Sequence, residues 1–202
     1  MKVAVLASGR GSNLQSLIDQ WRRGSLPVVF VGVGSDNINA QALERAENAK
    51  IPTRVFLIES YEDKQSQEND ILNWFEELEV ELLVLAGYMR VLSKKFIRQA
   101  NYPIVNIHPS LLPSFPGLNA QKQALDYGVK ISGCTVHFVD EGMDTGPIIL
   151  QQAVQLYEED DVAALVDRIL KVEHQIYPEA IRLIATGKVK RQGRKVIIQR
   201  HS

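Results

Sequence analysis

Residues 82–85, Leu-Leu-Val-Leu, are apolar at every position. Successive side chains of a strand point to opposite faces, so an unbroken apolar run needs cover on both. That requirement describes an inner strand of a parallel sheet with helices packed over it. Residues 2–7, Lys-Val-Ala-Val-Leu-Ala, form a similar short run that ends in Ser8-Gly9. Between the two, the pattern alternates. Residues 12–21 place Leu14, Leu17, Ile18 and Trp21 on one helical face. Residues 27–33 read as a second strand, 40–49 as a helix closed by Ile51-Pro52, 53–57 as a third strand and 61–78 as a polar helix. Alternating strands and helices over the first hundred residues predict a right-handed parallel αβ layer.

Further along, Gly87-Tyr88-Met89-Arg90 reads as a loop, 94–99 as a helix, 102–105 as a fifth strand and 118–127 as a helix. Two longer strands follow at 132–139 and 148–154, a hairpin-like pair that continues the sheet with antiparallel strands. Residues 161–185 form the last long helix, with Val162, Leu165, Ile169, Val172, Ile176 and Leu183 roughly in phase. The fold class expected is α/β: a single-domain, Rossmann-like, mostly parallel twisted sheet. Helices cover both faces, and antiparallel strands are added in the C-terminal half. No linker, repeat or low-complexity segment divides residues 1–202. Within that single domain the expected parts are a phosphate-binding αβ half at 1–100, a catalytic half at 101–185 and a basic tail at 186–202. Turn residues flanked by Val and Ile make the tail a small hairpin with a solvated cationic face.

A chain of 202 residues suits one domain with a substantial core. Charged residues are 23% of it and the formal net charge is −1, so no global field argues for nucleic acid or a membrane. The basic tail has no aromatic stacking residue and no nucleic-acid motif. The single cysteine, Cys134, cannot close an internal disulfide, and its alternating strand context describes a buried thiol rather than a nucleophile. There is no signal peptide and no apolar stretch of about 18 residues, so a soluble cytoplasmic protein is expected.

The chemistry-bearing residues sit in two loops. Asn106 and His108 open the first, Asn-Ile-His-Pro-Ser-Leu-Leu-Pro at 106–113. Asp144 lies in the second, Asp-Glu-Gly-Met-Asp-Thr-Gly-Pro at 140–147. Each follows a strand-like run, so neighbouring strands would bring an amide, an imidazole and a carboxylate to one sheet edge. An imidazole gives or takes a proton near neutral pH, a carboxylate beside it favours its charged form, and an amide stabilises a developing oxyanion. Such a set suits acyl transfer without a covalent intermediate. Taken singly, His108 also reads as a structural histidine, and Asn106 and Asp144 as turn residues. His137, on an alternating strand, reads either as a satisfied core histidine or as a support for the catalytic loop. His201, in the tail, is assigned no role. The Gly9-Arg10-Gly11 loop joins a strand to a helix, where backbone amides and the helix dipole favour an anion. Leu14 stands where a dinucleotide fingerprint needs glycine, and the P-loop ending is missing. A tight turn is the competing reading. No histidine spacing matches a zinc site.

The 106–113 run, with Gly-Cys-Thr-Val-His-Phe at 133–138 leading into Met-Asp-Thr-Gly-Pro at 143–147, resembles the folate-dependent formyltransferases. Ser-Gly-Arg-Gly-Ser-Asn-Leu-Gln at 8–15 narrows the resemblance to the branch acting on glycinamide ribonucleotide in purine synthesis. It extends from the first strand to about residue 185. The resemblance implies formyl transfer from 10-formyltetrahydrofolate to the amine of glycinamide ribonucleotide by direct amine attack. Asn106 and protonated His108 would stabilise the oxyanion while Asp144 holds the imidazolium, with no metal. It further implies that Gly11, Ser12 and Asn13 hold the phosphoribosyl part, with Gly11 letting the backbone come close to the ligand. Glu173 would contact the glycinamide end. For the folate it implies Met89, Arg90, Val91 and Leu92, whose backbone reads the pterin edge while Val91 and Leu92 contact its faces. Asn106, Asp140, Glu141 and Asp144 join them, and Lys64 lies near the substrate phosphate or the folate tail. A cis Leu112-Pro113 bond is also implied. The expected partners are these two small molecules, with no nucleic acid and no membrane, in a monomer or homodimer. Similar enzymes that use water as acceptor usually carry an extra amino-terminal domain, and those acting on methionyl-tRNA a carboxy-terminal one. This chain, beginning at its first strand, is read as neither. A non-catalytic nucleotide-binding module would explain the glycine loop but leave Asn106, His108 and Asp144 without purpose.

Overall fold

Strands β1 (Lys2–Leu6) and β4 (Leu82–Leu85) are the two unbroken apolar runs. In the computed structural model, which describes residues 1–199, Val3 to Leu6 and Leu82 to Val84 are all fully buried. Consecutive strand residues face opposite ways, so both faces of these strands are covered. β1 pairs in parallel with β4 and with β2 (Val29–Ser35), and β2 pairs in parallel with β3 (Thr53–Val55). Together with β5 (Ile104–His108), β6 (Ile131–Phe138) and β7 (Ile148–Gln155), they form a sheet of seven strands in the order β3-β2-β1-β4-β5-β6-β7. β6 and β7 are antiparallel, as the sequence predicted. The chain runs outward from β1 to β3, then returns to β4 on the other side of β1. This reversal makes the carboxyl ends of β1 and β4 the switch point of the strand order, the position at which open α/β sheets bind ligands.

The chain packs as two compact units, the first Met1–Val105 and the second beginning at Asn106. In the first, α1 (Ser12–Arg22) packs beside α2 (Gln41–Asn48), and α3 (Lys64–Glu77) beside α4 (Lys94–Gln99). The starts of α3 and α4 are capped by side chains: Asp63 accepts from the Ser66 amide and Ser93 from the Phe96 amide. In the second, α5 (Ala120–Tyr127) packs on α6 (Val162–Ala185), which lies across β6 and β7. The tail hairpin is present as β8 (Val189–Gln192) and β9 (Lys195–Ile198), paired antiparallel. Residues 200–202, with His201, lie outside the described residues. Among the described residues no helix is long and apolar enough to cross a membrane.

Two sequence expectations are corrected. β5 does not stop at Val105; it continues through His108, so Asn106 and His108 are strand residues. A polar residue ended the apolar run, but the backbone ladder ignores side-chain polarity. On α6 the buried stripe is Leu165, Ile169, Glu173, Tyr177 and Ile181, spaced by four, while Val162 is exposed. Val172 and Ile176 are only half-buried. Leu165, Ile169 and Leu183 of the predicted face are buried, but midway the seam runs through Glu173 and Tyr177 rather than Val172 and Ile176, because a carboxylate and a phenol occupy two of its places.

Candidate active site

Asn106 and His108 stand two residues apart on β5 and therefore project from the same side of the strand. The next strand in the order, β6, carries His137 near its end. Beyond β6 the 140–146 loop turns Asp144 back toward both histidines. The His108 Nδ1 lies 3.3 Å from Asp144 Oδ2, and His137 Nε2 lies 3.7 Å from Asp144 Oδ1. Asn106 Nδ2 is 3.4 Å from His137 Nε2. Three elements thus bring an amide, two imidazoles and a carboxylate together, with both rings buried.

The hydrogen bonds define the two rings differently. His137 Nδ1 is 2.9 Å from the Phe138 carbonyl, which can only accept, so the proton sits on Nδ1 and Nε2 offers a lone pair to the Asn106 amide. Burial pushes the His137 pKa down, and the pull of Asp144 in the other direction is smaller. The 3.7 Å approach of His137 to Asp144 is therefore that of a neutral ring, not an ion pair. His108 instead faces acceptors at both nitrogens: Nε2 is 2.8 Å from the Phe115 carbonyl, and Nδ1 faces Asp144. An imidazolium has a donor for each of them. The 3.4 Å contact to Asn106 is longer than a usual hydrogen bond. Its NH₂ has two donors, so capacity remains for a developing oxyanion.

The surroundings hold this set in place. The Gly117 amide donates to Asp144 Oδ2 at 2.8 Å. Asp140 Oδ1 accepts from the Gly142 amide at 3.1 Å and from Thr145 Oγ1 at 2.6 Å, tying the base of the loop. Gly146 is required by packing, since a Cβ there would stand 1.7 Å from the Phe138 carbonyl oxygen. Thr135 Oγ1 donates to the Ser110 carbonyl at 2.7 Å and accepts from the Leu112 amide at 3.0 Å, fastening the segment after His108 onto β6. The Leu112-Pro113 bond in that segment is cis, as the resemblance implied. Sequence reasoning missed Phe115, Gly117 and Thr135. The first two act through backbone atoms, which leave no mark on residue type. Thr135 lies within the 133–138 motif, where a hydroxyl among apolar neighbours is the signal of a buried bond.

The first unit contains the other predicted segments. α1 starts at Gly11, which has φ 65 and gives no side-chain cap. The carbonyls before it are all engaged: Ser8 by Asn37 Nδ2, Gly9 by the Ala42 amide, Arg10 by Arg45 Nε and Gly11 by the Gln15 amide. The first amides of α1 have no intrahelical acceptor, which suits an anion. Gly11 is also required by packing. A Cβ on it would come within 2.7 Å of Ala42 Cα, whereas one on Gly9 would meet nothing within 4 Å. Gly11 lets α2 approach; the open side of the loop is at Gly9.

Beyond the carboxyl ends of β1 and β4, the Ser8 amide donates to the Gly87 carbonyl at 3.1 Å and the Met89 amide to Ser8 Oγ at 2.9 Å. These bonds lock the 87–92 segment to the glycine loop. Lys64 Nζ donates to the Val91 carbonyl at 2.5 Å, and Arg90 Nε pairs with Asp36 at 2.8 Å. Met89 and Val91 are exposed, but Leu92 is 7% exposed and belongs to the core. In the second unit Glu173 is buried on α6. Burial, with the negative charge of Glu173 adding to it, pushes the Cys134 thiol up to about 12, so it is an inert core thiol. Among the described residues no cluster of His, Cys, Asp and Glu is built to hold a metal.

Comparison with known proteins accords with this geometry. Residues 1–181 match the formyl transferase family, and the chain belongs to it. It is 44% identical over 181 residues to the phosphoribosylglycinamide formyltransferase of Bacillus subtilis, covering 90% of this chain and 93% of that protein. It is also 47% identical over 189 residues to the trifunctional purine biosynthetic protein adenosine-3 of Bos taurus. That match covers 94% of this chain and 19% of the relative, so the chain spans about a fifth of the trifunctional protein's length. Among solved structures, glycinamide ribonucleotide transformylase 1 from Symbiobacterium toebii superposes with a TM-score of 0.95 at 46% identity, covering 98% of this chain and 93% of that one.

Proposed function

We propose that this protein transfers the formyl group of 10-formyltetrahydrofolate to the amine of glycinamide ribonucleotide, acting in the cytoplasm during purine synthesis. The observation that carries the reading is the convergence of Asn106, His108 and Asp144, with Asp144 3.3 Å from a ring that faces acceptors at both nitrogens. The uncharged amine attacks the formyl carbon, and the carbonyl electron pair moves onto oxygen. Asn106 Nδ2 donates to that oxygen, and the charge of the His108 imidazolium, kept in place by Asp144, stabilises it. When the oxyanion collapses, the bond to the folate nitrogen breaks. That nitrogen takes a proton from His108 directly or through water, and the attacking nitrogen returns one to the ring by the same route, restoring the imidazolium. An oxyanion donor is worth roughly 10²–10³-fold and general acid–base help roughly 10²–10⁴-fold.

The remaining assignments follow the same reading. Gly11, Ser12 and Asn13 present the start of α1 to the substrate phosphate, and Glu173 meets the glycinamide end. Met89, Arg90, Val91, Leu92, Asp140 and Glu141 receive the folate, with Lys64 anchoring the 89–92 segment. Of that segment's apolar side chains, the exposed Met89 and Val91 are the ones open to a ligand.

Incubation with 10-formyltetrahydrofolate, with and without glycinamide ribonucleotide, tests the reading. Formylated ribonucleotide should accumulate only when the acceptor is present. Release of free formate at an equal rate in its absence would make the protein a hydrolase instead.

A further inference from the structure

The C-terminal hairpin lies beyond residue 181, where the family match ends, and the reaction leaves its basic residues unused. Its turn nevertheless reaches the catalytic loop. Arg194 Nη2 donates to the carbonyl of Thr145, the residue after Asp144, at 3.0 Å. The turn is itself braced, since Gly193 takes φ 58 and its carbonyl accepts from Arg191 Nε at 3.3 Å.

The loop at this point needs such a tie. A cavity of about 190 Å³ lies against it, lined by Leu112, Pro113, Pro116, Met143, Ile148 and Arg194 among others, so packing does not fill the space beside Asp144. Asp144 has φ 55, a left-handed conformation that aspartate adopts more readily than most residues with a Cβ but that neighbouring contacts still favour or disfavour. Asp140 secures Thr145 through its hydroxyl, and Arg194 secures the same residue through its carbonyl.

We propose that Arg194 is a positioning residue for formyl transfer: its guanidinium pins the Thr145 carbonyl at the edge of the cavity and so holds the Asp144 carboxylate beside His108. It acts through the loop and touches no reacting atom. This inference rests on the formyl-transfer reading of the site. An exposed hydrogen bond contributes little to global stability, so its effect falls on the fraction of molecules whose loop is in place.

The test uses the full chain with Arg194→Ala and Arg194→Lys, and Asp144→Asn as reference. In the resting protein, the ¹⁵N resonance of His108 Nδ1 should move in Arg194→Ala part of the way it moves in Asp144→Asn. Turnover should fall about fivefold or more, a part of the roughly 10²–10⁴-fold that acid–base help supplies, with KM for glycinamide ribonucleotide and Tm unchanged. Arg194→Lys, which keeps a donor on a long stem, should recover part of both signals. An unmoved His108 resonance in Arg194→Ala overturns the proposal. So does a lowered Tm with parallel losses in kcat and KM, which would mark a merely structural hairpin. Absence of formyl transfer by the wild-type chain would sink the reaction reading alone, because the resonance still decides whether Arg194 holds Asp144 in place.

Discussion

The two buried histidines behave differently because their acceptors differ. His108 has a carbonyl at one nitrogen and a carboxylate at the other; His137 has a carbonyl at Nδ1 and an amide donor at Nε2. Replacing His108 with Ala should therefore lower turnover by roughly 10²–10⁴-fold, while circular dichroism and ribonucleotide binding stay close to wild type. Retention of more than half the activity would remove it from the mechanism. His137 instead makes stability depend on pH. Its folded pKa is pushed below the ordinary value by burial, so the unfolded chain binds its proton more readily. Its contribution is intact above about 6.5, the ordinary histidine value, and is lost as pH falls from there through the folded value. One such group costs up to about 1.4 kcal/mol per pH unit in that window. His137→Gln should flatten the fall of Tm below that pH. An identical acid limb in wild type and variant would show that His137 titrates alike in both states.

At the level of single elements, the loop from β1 into α1 separates packing from binding. Gly11 has a positive φ and an Ala42 Cα in the way of any side chain; Gly9 has open space. Gly11→Ala should cost on the order of 1–3 kcal/mol and show as a lowered Tm. Gly9→Ala should leave Tm near wild type but weaken glycinamide ribonucleotide binding by about tenfold, or about 1.4 kcal/mol, by intruding on the anion. Calorimetry and thermal melts on the two variants check this. Equal melts with equal affinities would mean that neither the approach of α2 nor the open side of the loop matters.

For the molecule as a whole, the inner strands are where stability concentrates. Leu83 on β4 is fully buried, and its amide bonds the Pro103 carbonyl at 3.0 Å. Leu83→Ala leaves that backbone bond but opens a cavity, costing roughly 2–5 kcal/mol. In a chain of this size each kcal/mol moves Tm by about 2–4 °C, so a drop of roughly 4–20 °C is expected in a thermal melt. No polar catalytic group borders the change, so kcat measured well below Tm should stay near wild type. A melt unchanged within error would show that β4 relaxes around the loss.

What the sequence determined by itself was whatever a window of a few residues can encode. The apolar runs at 2–7 and 82–85 required an inner parallel sheet because strand side chains alternate between two faces. Leu14, Leu17 and Ile18 placed a helix by their spacing. The segments around Asn106, His108 and Asp144 were legible because their residue types are costly to group without a purpose, and the resemblance they carry is to the family the chain belongs to. Tertiary structure decided the rest. It ran β5 on to His108, since a ladder is made by a partner strand's backbone and not by the residue's own polarity. It moved the buried stripe of α6 onto Glu173 and Tyr177, and it made Gly11 a packing point for Ala42 as well. The proton on His137 was placed by the carbonyl of Phe138, His108 met the carbonyl of Phe115, and Arg194 met Thr145 across 49 positions of chain. Each of these depends on atoms that come together only when distant segments pack, and backbone carbonyls and steric space have no letter in the sequence.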